Sequence, residues 1–317
     1  MTQVTVVMRT YERPVLLARA LASVVQQTFA DWELVVVNNG GNPATVDQVV
    51  ATANPAGRHA MRVMHLPERV GMEEASNVAL RESKASYFAI HDDDDSWDPH
   101  FLEAMVARFG ENPGAAAVVC AQTRVHETMQ GNRVWPVREE DDRLTPGKLT
   151  YRGMIGQNTF APISALFRRG VLDTVGYFDA SLPVLGDWEF NLRAVLDGGF
   201  AFEPRHLSRY HVRTPESDGA TANTITAGLD RHMSVRAQLQ DKWLREPEVN
   251  GVNKGLLSVM AQAIVLVEDS AGRGADPAQI SATVMRDMQA QRPLRRVLRA
   301  VRHPRHGLRA ITRRLGR

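Results

Sequence analysis

Four consecutive carboxylates, Asp92 to Asp95, follow the short apolar run Tyr87-Phe-Ala-Ile90 and His91, and lead into Ser96, Trp97, Asp98 and Pro99. A buried strand that ends in clustered acids is unfavourable unless something offsets the charge, because each carboxylate disfavours ionisation of its neighbours. Hard divalent cations such as Mg²⁺ and Mn²⁺ prefer oxygen ligands. One reading is therefore a metal site at the carboxyl end of a sheet strand, where open α/β sheets bind their ligands. The other is a solvated acidic loop in which Ser96 or Asp98 caps a helix beginning at Pro99. An EF-hand is excluded. Asp92, Asp94, Ser96 and Glu103 fall at ligand positions of such a loop, but Trp97 stands where its sharp turn needs glycine, and a strand precedes it. A further acid, Asp187 in Leu185-Gly-Asp-Trp-Glu189, stands where a helical pattern opens, a place that also suits a cap.

The segments that position these acids alternate in period. Val4 to Met8, Glu33 to Val37, Arg62 to Leu66 and Tyr87 to Ile90 are short apolar runs, read as buried strands. Between them lie helical patterns. One starts at Pro14 with Leu16, Leu17, Ala20, Leu21 and Val24 on one face. Another covers Thr45 to Ala53, and a third Gly71 to Ser83, with Met72, Ala75, Val78 and Ala79 on one side. This order predicts a mostly parallel sheet with helices on both faces through about residue 110. The loops after the strands, Thr10 to Arg13, Asn38 to Gly41, Glu68 to Gly71 and Asp92 to Asp95, then converge at one sheet edge. No Gly-x-Gly-x-x-Gly or P-loop is present, which argues against a dehydrogenase or a Walker-type nucleotide hydrolase.

From Ala115 the pattern changes. Ala116 to His126 and Asn132 to Val137 read as strands, Glu139 to Asp142 as a solvated loop, and Ile163 to Phe167 as a further strand. A helix opens at Asp187, with Phe190, Ala194 and Val195 facing the core; Phe200 to Phe202 and Leu207 to Val212 are two short strands. Helical patterns follow near 222–245, 253–269 and 277–290.

The 317 residues suffice for one large domain with a helical extension, and a hydrophobic fraction of 44% is ordinary for a globular protein. The single cysteine, Cys120, excludes an intrachain disulfide and cysteine metal clusters. No signal-peptide pattern and no membrane-spanning run is found, so a cytoplasmic or peripheral location is expected. The net charge of +2 divides unevenly: residues 288–317 hold ten arginines and no acid, which leaves −8 for the rest. In that tail Leu294, Val297, Leu298 and Val301 form an apolar stripe among the arginines. Basic amphipathic helices of this kind lie on anionic membrane surfaces. A helix docked on the acidic body and a free basic tail are the alternatives.

Five stretches occur in a telling order: Val4-Thr-Val-Val-Met-Arg-Thr-Tyr-Glu-Arg-Pro14, Glu33-Leu-Val-Val-Val-Asn-Asn-Gly40, Gly71-Met-Glu-Glu-Ala-Ser-Asn77, His91-Asp-Asp-Asp-Asp-Ser-Trp97 and Leu185-Gly-Asp-Trp-Glu189. Together they resemble the family 2 glycosyltransferases of the GT-A type, over roughly residues 3–213. The resemblance implies an α/β fold of GT-A type, a Rossmann-like nucleotide-sugar-binding sheet, with a C-terminal helical extension. Residues 1–215 would form the glycosyltransferase domain, 1–114 its nucleotide-binding half and 115–215 its acceptor-binding half. Residues 216–290 would be the extension and 291–317 the basic tail.

The resemblance also implies roles. Asp92 and Asp94 match the family's Asp-x-Asp motif and would ligate Mn²⁺ or Mg²⁺, with Asp92 and Asp93 also facing the donor's ribose. Asp187 matches the base that deprotonates the acceptor hydroxyl, with Glu189 as fallback; Gly186 stands where relatives have Glu. Asn39 replaces the Asp that pairs with a uracil edge, and Thr10, Tyr11, Arg13 and Arg69 would line the same nucleotide pocket. His211 falls where several GT-A enzymes present a histidine to the metal, while His91 reads as a packing residue and Trp188 as an acceptor-side ring.

The function implied is inverting transfer of a sugar, hexosyltransferase-like and metal-dependent. The donor would be a nucleotide-diphospho-sugar (a UDP-sugar favoured) and the acceptor a hydroxyl of a glycan or lipid-linked glycan, as in cell-surface polysaccharide biosynthesis. No nucleic-acid partner is expected. A nucleotidyltransferase and a catalytically inactive nucleotide-sugar-binding scaffold are the rivals; the first ordinarily carries a Gly-rich loop after the first strand, and Arg9 to Arg13 has no glycine.

Overall fold

The computed structural model describes residues 2–213, 229–246 and 253–272. These fall into two units. One carries the chain up to Met154 and from Asn158 to Val235; the other carries Ile155–Gln157 and the residues from Arg236 on. The expected domain boundary at 215 and the basic tail lie outside the described residues.

In the first unit β1 (Val4–Thr10), β2 (Trp32–Asn39), β3 (Ala60–Leu66) and β4 (Tyr87–Asp92) are parallel and stand in the order β3-β2-β1-β4. β1, flanked on both sides, buries every residue except Arg9, which is partly exposed, as a strand covered on both faces must. The connecting helices are α1 (Pro14–Val25), α2 (Pro43–Ala53) and α3 (Met72–Glu82). Pro14 starts α1, where its missing N–H costs nothing, and Leu16, Leu17, Ala20, Leu21 and Val24 are buried as the spacing predicts. Each such aliphatic side chain larger than alanine contributes roughly 1.5–3 kcal/mol on burial. Parallel pairing leaves all four carboxyl ends at one edge, so the four unusual loops do converge.

The sheet continues through β8 (Ala165–Arg168), β6 (Ala117–Gln130), β9 (Phe200–Arg213) and β5 (Ser96–Trp97), while β7 (Arg133–Asp141) pairs with β6. β8 is antiparallel to both its neighbours and meets only Tyr87 and Phe88 of β4 and Ala117 to Val119 of β6. The helices here are α4 (Phe101–Glu111), α5 (Tyr151–Met154), α6 (Val171–Val175) and α7 (Gly186–Gly198). The expectation of a mostly parallel sheet flanked by helices holds.

Three local expectations are corrected. The two short strands predicted at 200–202 and 207–212 are one strand, β9, whose register against β6 shifts around Cys120 to Gln122. Pro204 has no N–H for a ladder bond, and the irregularity absorbs it. The acidic stretch Glu139 to Asp141, predicted as loop, is the end of β7. It is an edge strand that wets its acids while Thr123 Oγ1 donates to Asp141 Oδ1 at 2.8 Å. The helix after the acids begins at Phe101, not Pro99; Ser96 lies in β5, and Asp98 Oδ1 accepts the N–H of His100 at 2.9 Å.

The described helical residues of the second unit are those of Leu229–Arg245 from Arg236 on and those of Lys254–Gly272, and the helix predicted at 277–290 lies outside the described residues. Within it Gln240 Nε2 donates to Ser258 Oγ at 3.1 Å and to Gln262 Oε1 at 2.8 Å, and Lys254 Nζ sits 4.4 Å from the centre of the Trp243 ring. Among the described residues no helix is long and apolar enough to cross a membrane.

Candidate active site

The acid loop is anchored by what precedes it. His91 is fully buried, edge-on to Trp97 with ring centres 4.5 Å apart, and burial pushes its imidazole down to about 4. The neutral ring therefore donates from Nδ1 to the Asp92 carbonyl at 2.8 Å, the packing role expected of it. The four carboxylates then fan apart. Asp92 pairs with Arg9 of β1. Asp93 accepts from Thr10 Oγ1 at 2.8 Å and stands 3.4 Å from Arg13. Asp94 meets Arg13 at 3.4 Å and also Arg213, and its carbonyl takes Arg19. Asp95 Oδ1 accepts the backbone N–H of His211 at 2.8 Å, while its Oδ2 is buried without a partner. Burial and then the charge of Asp94 push the Asp93 carboxyl up to about 7 and the Asp95 carboxyl well above its ordinary range.

Behind this loop sits a buried charge cluster that the sequence reading missed. Glu127 of β6 receives Arg19 at 2.7 Å, Arg213 at 3.0 Å and His211 Nδ1 at 2.9 Å. Burial raises its carboxyl, but hydrogen bonds from His211 and Arg19 outweigh that and hold it at about 2. One sequence signal was available. Thr123, Val125, Glu127 and Met129 share the buried face of β6 at strand spacing, and an acid in that row needs partners. The other ring nitrogen of His211 meets Ser96 Oγ at 2.9 Å. Metal ligation by His211 thus requires Ser96 to release Nε2.

The nucleotide-side loops are fastened to one another. The guanidinium of Arg69 lies 4.2 Å from the centre of the Tyr11 ring. Asn39 makes a two-point pair with the backbone of Val70, donating at 2.9 Å and accepting at 2.8 Å. Its amide keeps one N–H and one lone pair for any base edge. Gly40 has φ +80°, and a Cβ there would stand 2.5 Å from the backbone N of Arg69. Thr10, Tyr11, Arg13, Asn39, Arg69, Asp92 and Asp93 therefore gather at the carboxyl ends of β1 to β4.

Asp187 approaches from α7. Its helix is entered through Leu185, held in the left-handed region at φ 64°, and Leu185 rather than Asp187 occupies the cap position. A side chain in that region is strained by roughly 1–2 kcal/mol. Asp187 is half-buried and accepts from Asn158 Nδ2 at 2.6 Å. Burial raises its carboxyl, Asn158 and the Trp188 N–H hold it back, Asp92 raises it and Arg9 lowers it. Asp187 and the acid loop, 95 residues apart in sequence, thus lie within electrostatic reach.

Two acceptor-side expectations are corrected. Trp188 is fully buried and its indole N–H donates to the Met154 carbonyl at 2.7 Å, so it presents no ring face. Glu189 is bound by Arg193 one turn on, with contacts of 2.8–3.0 Å to both oxygens, and serves as that arginine's partner. A third correction concerns α3. The face expected to turn on Met72 and Val78 instead buries Glu73, Ser76 and Asn77 together with Ala75, Ala79 and Leu80. Asn77 explains part of this, donating to the Phe178 carbonyl at 2.9 Å and accepting its N–H at 3.1 Å.

Among the described residues no three His, Cys, Asp or Glu side chains are arranged to hold a metal ion. Asp92 and Asp94 nonetheless suit one. Mg²⁺ and similar ions commonly take one or two carboxylates and fill their remaining positions with phosphate and water. Burial first, and then the charge of the neighbouring acids, raises the Asp93 and Asp95 carboxyls, and a cation would offset the second of these effects.

The parallel sheet with acids at its carboxyl edge and a further carboxylate facing them defines the GT-A architecture. The chain belongs to Glycosyl transferase family 2, whose model matches residues 5–176. It is a glycosyltransferase, which removes the nucleotidyltransferase alternative. A relative from Bacillus subtilis, the uncharacterized glycosyltransferase YwdF, is 27% identical over 62% of this chain and 69% of its own. A PGL/p-HBAD biosynthesis glycosyltransferase of Mycobacterium bovis is 25% identical over 70% of this chain and 79% of its own. Among solved structures, S. aureus TarS 1-349 in complex with UDP-GlcNAc aligns over 85% of this chain and 73% of its own, with TM-score 0.60 and 18% identity. The mannosyltransferase PcManGT from Pyrobaculum calidifontis, in complex with GDP-Man and Mn²⁺, aligns over 93% and 82%, with TM-score 0.59 and 20% identity.

Proposed function

We propose that this glycosyltransferase moves a sugar from a nucleotide-diphospho-sugar to an acceptor hydroxyl in one displacement with inversion. The carrying observation is the half-buried Asp187 carboxylate, held by Asn158 at 2.6 Å and within electrostatic reach of Asp92. Asp187 takes the proton of the acceptor hydroxyl as its oxygen attacks the anomeric carbon. The bond from that carbon to the diphosphate breaks on the opposite side. A raised carboxyl suits a base, since proton transfer is most effective when the base is not too weak.

Arg13, Thr10 and Asp93 face the departing diphosphate and the ribose, and Tyr11 with Arg69 offers a stacked surface beside the base. Asp92 and Asp94 would hold Mn²⁺ or Mg²⁺, which when bound offsets the negative charge left on the diphosphate. The relatives and neighbours support a sugar donor of this class, since two of the solved structures are named with UDP-GlcNAc and GDP-Man. A UDP-sugar is the first donor to test. The acceptor is a glycan or lipid-linked glycan of the cell surface, with the arginine tail on an anionic membrane face.

The test is Asp187→Asn. The variant should keep the thermal shift that nucleotide diphosphates give the native protein, while kcat falls roughly 10²–10⁴-fold, the usual worth of a general base. Normal turnover by this variant would refute the assignment.

A further inference from the structure

Glu73 is an odd residue to find where it is. It lies in the first turn of α3, only 4% exposed, and its Oε2 is buried with no hydrogen-bond partner. An uncompensated buried carboxylate is destabilising. Its surroundings come from three elements: Arg9 of β1, Asp187 of α7 and the backbone N–H of Gly186. A Cβ added to Gly186 would stand 2.6 Å from the Glu73 carboxyl carbon and nearer still to Oε1. The absence of a side chain at 186 is what makes room for the Glu73 carboxyl, immediately before Asp187 and beside the strained Leu185.

Arg9 ties this arrangement to the reaction. Its guanidinium pairs with Asp92 and also feels Glu73 and Asp187. Its hydrogen bonds go to Asp92 and, at 3.4 Å, to the Met72 carbonyl, so Glu73 and Asp187 act on it through charge alone. The charge of Glu73 offsets part of the Arg9 charge, which unopposed would hold Asp187 ionised and make it a weaker proton acceptor.

We propose that Glu73 is a positioning residue for Asp187. Its carboxyl, inserted against Gly186, braces the turn that aims the base and shares Arg9 with it. The inference rests on Asp187 being the base. The carboxyl of Glu73 is itself raised to about 7, by burial first and with the charge of Asp187 adding, as expected for an acid sharing a desolvated site.

The placement allows a swap test. In an aspartate the carboxylate oxygens lie roughly 2.4 Å from the Cβ, by standard bond lengths. Gly186→Asp would therefore direct a carboxylate into the volume that Glu73 Oε1 now fills, once Glu73→Ala has vacated it. Glu73→Gln keeps the packing and removes the charge. It should lower kcat at least tenfold, with the donor KM within twofold and the melting temperature preserved. Glu73→Ala should lose at least as much, and Glu73→Ala combined with Gly186→Asp should regain at least tenfold over Glu73→Ala alone. Gly186→Asp alone, with both carboxylates competing for one volume, should be impaired. A Glu73→Gln variant with kcat within twofold of the native value overturns the proposal, as does a double variant that folds and shows no recovery. Asp187→Asn assayed in parallel separates the two ideas. If that variant is active the base assignment itself fails. If it is inactive while Glu73→Gln is normal, only the role of Glu73 fails.

Discussion

Gly40→Ala is the sharpest probe of the nucleotide-side loops. Two terms oppose the substitution. The backbone at Gly40 has φ +80°, where an alanine costs about 1–2 kcal/mol. The new Cβ would also stand 2.5 Å from Arg69 N, 2.7 Å from the Glu68 carbonyl carbon and 3.0 Å from Arg69 Cα. All three are backbone atoms, so no rotamer change relieves the contact, and overpacking of this kind costs about 1–3 kcal/mol. The sum is about 2–5 kcal/mol. Gly57→Ala supplies the control, because Gly57 has φ +57° and nothing within 4 Å of the added carbon, which leaves only the backbone term. In urea unfolding at equal m, Gly40→Ala should therefore lose more stability than Gly57→Ala, by about 1–3 kcal/mol. The clash also pushes Arg69 away from Tyr11, so the thermal shift given by nucleotide diphosphates should shrink in Gly40→Ala and stay unchanged in Gly57→Ala. Equal losses in the two variants, or an unaltered nucleotide shift in Gly40→Ala, would refute the reasoning.

Three other outcomes are expected. Asn158→Ala removes a hydrogen bond that favours the charged form of Asp187; its carboxyl then rises further, so the acid limb of kcat/KM moves to higher pH. A limb that moved to lower pH would contradict the assignment. Glu127→Gln leaves Arg19 and Arg213 without their shared carboxylate and should cost roughly 3–5 kcal/mol in urea unfolding; a loss below about 1 kcal/mol would show the cluster to be inessential. Stripping divalent ions with a chelator should abolish transfer and reduce the shift from nucleotide diphosphates, and Mn²⁺ or Mg²⁺ should restore both. Full activity in the stripped protein would remove the metal from the mechanism.

The half of the sheet built from local strand–helix–strand units was legible because period and punctuation agree there. Val4 to Met8, Pro14 and the apolar row of α1 each announce their own structure. The acids at 92–95 and Asp187 were legible because their types are costly without a purpose. What escaped was set by partners far along the chain. Glu73 is invisible in the sequence because the apolar pattern of α3 points to Met72 and Val78, whereas Asn77 bonding to Phe178 and the space at Gly186 turn the helix by their own demands. The ring of Trp188 suggests an acceptor contact in the sequence, and only its 0% exposure and its bond to Met154 assign it to the core. β9 looked like two strands because Pro204 interrupts a ladder that a register shift then resumes.

The long strand β9 also bears on the order in which the protein assembles. β1 pairs with β2 and β2 with β3 across fewer than 30 residues, contacts that close early, and β4 joins β1 across 83. Asp94 meets Arg213 across 119 residues, and Asp95 meets the His211 backbone across 116. Loop closure over such spans comes late. During synthesis the acid loop is thus emitted long before the last strand that neutralises it, and folding of the catalytic edge ends where β9 ends. A chain stopped before residue 211 would keep Arg9 on Asp92 and Thr10 and Arg13 on Asp93, but would leave Asp95 without the His211 N–H and Asp94 without Arg213.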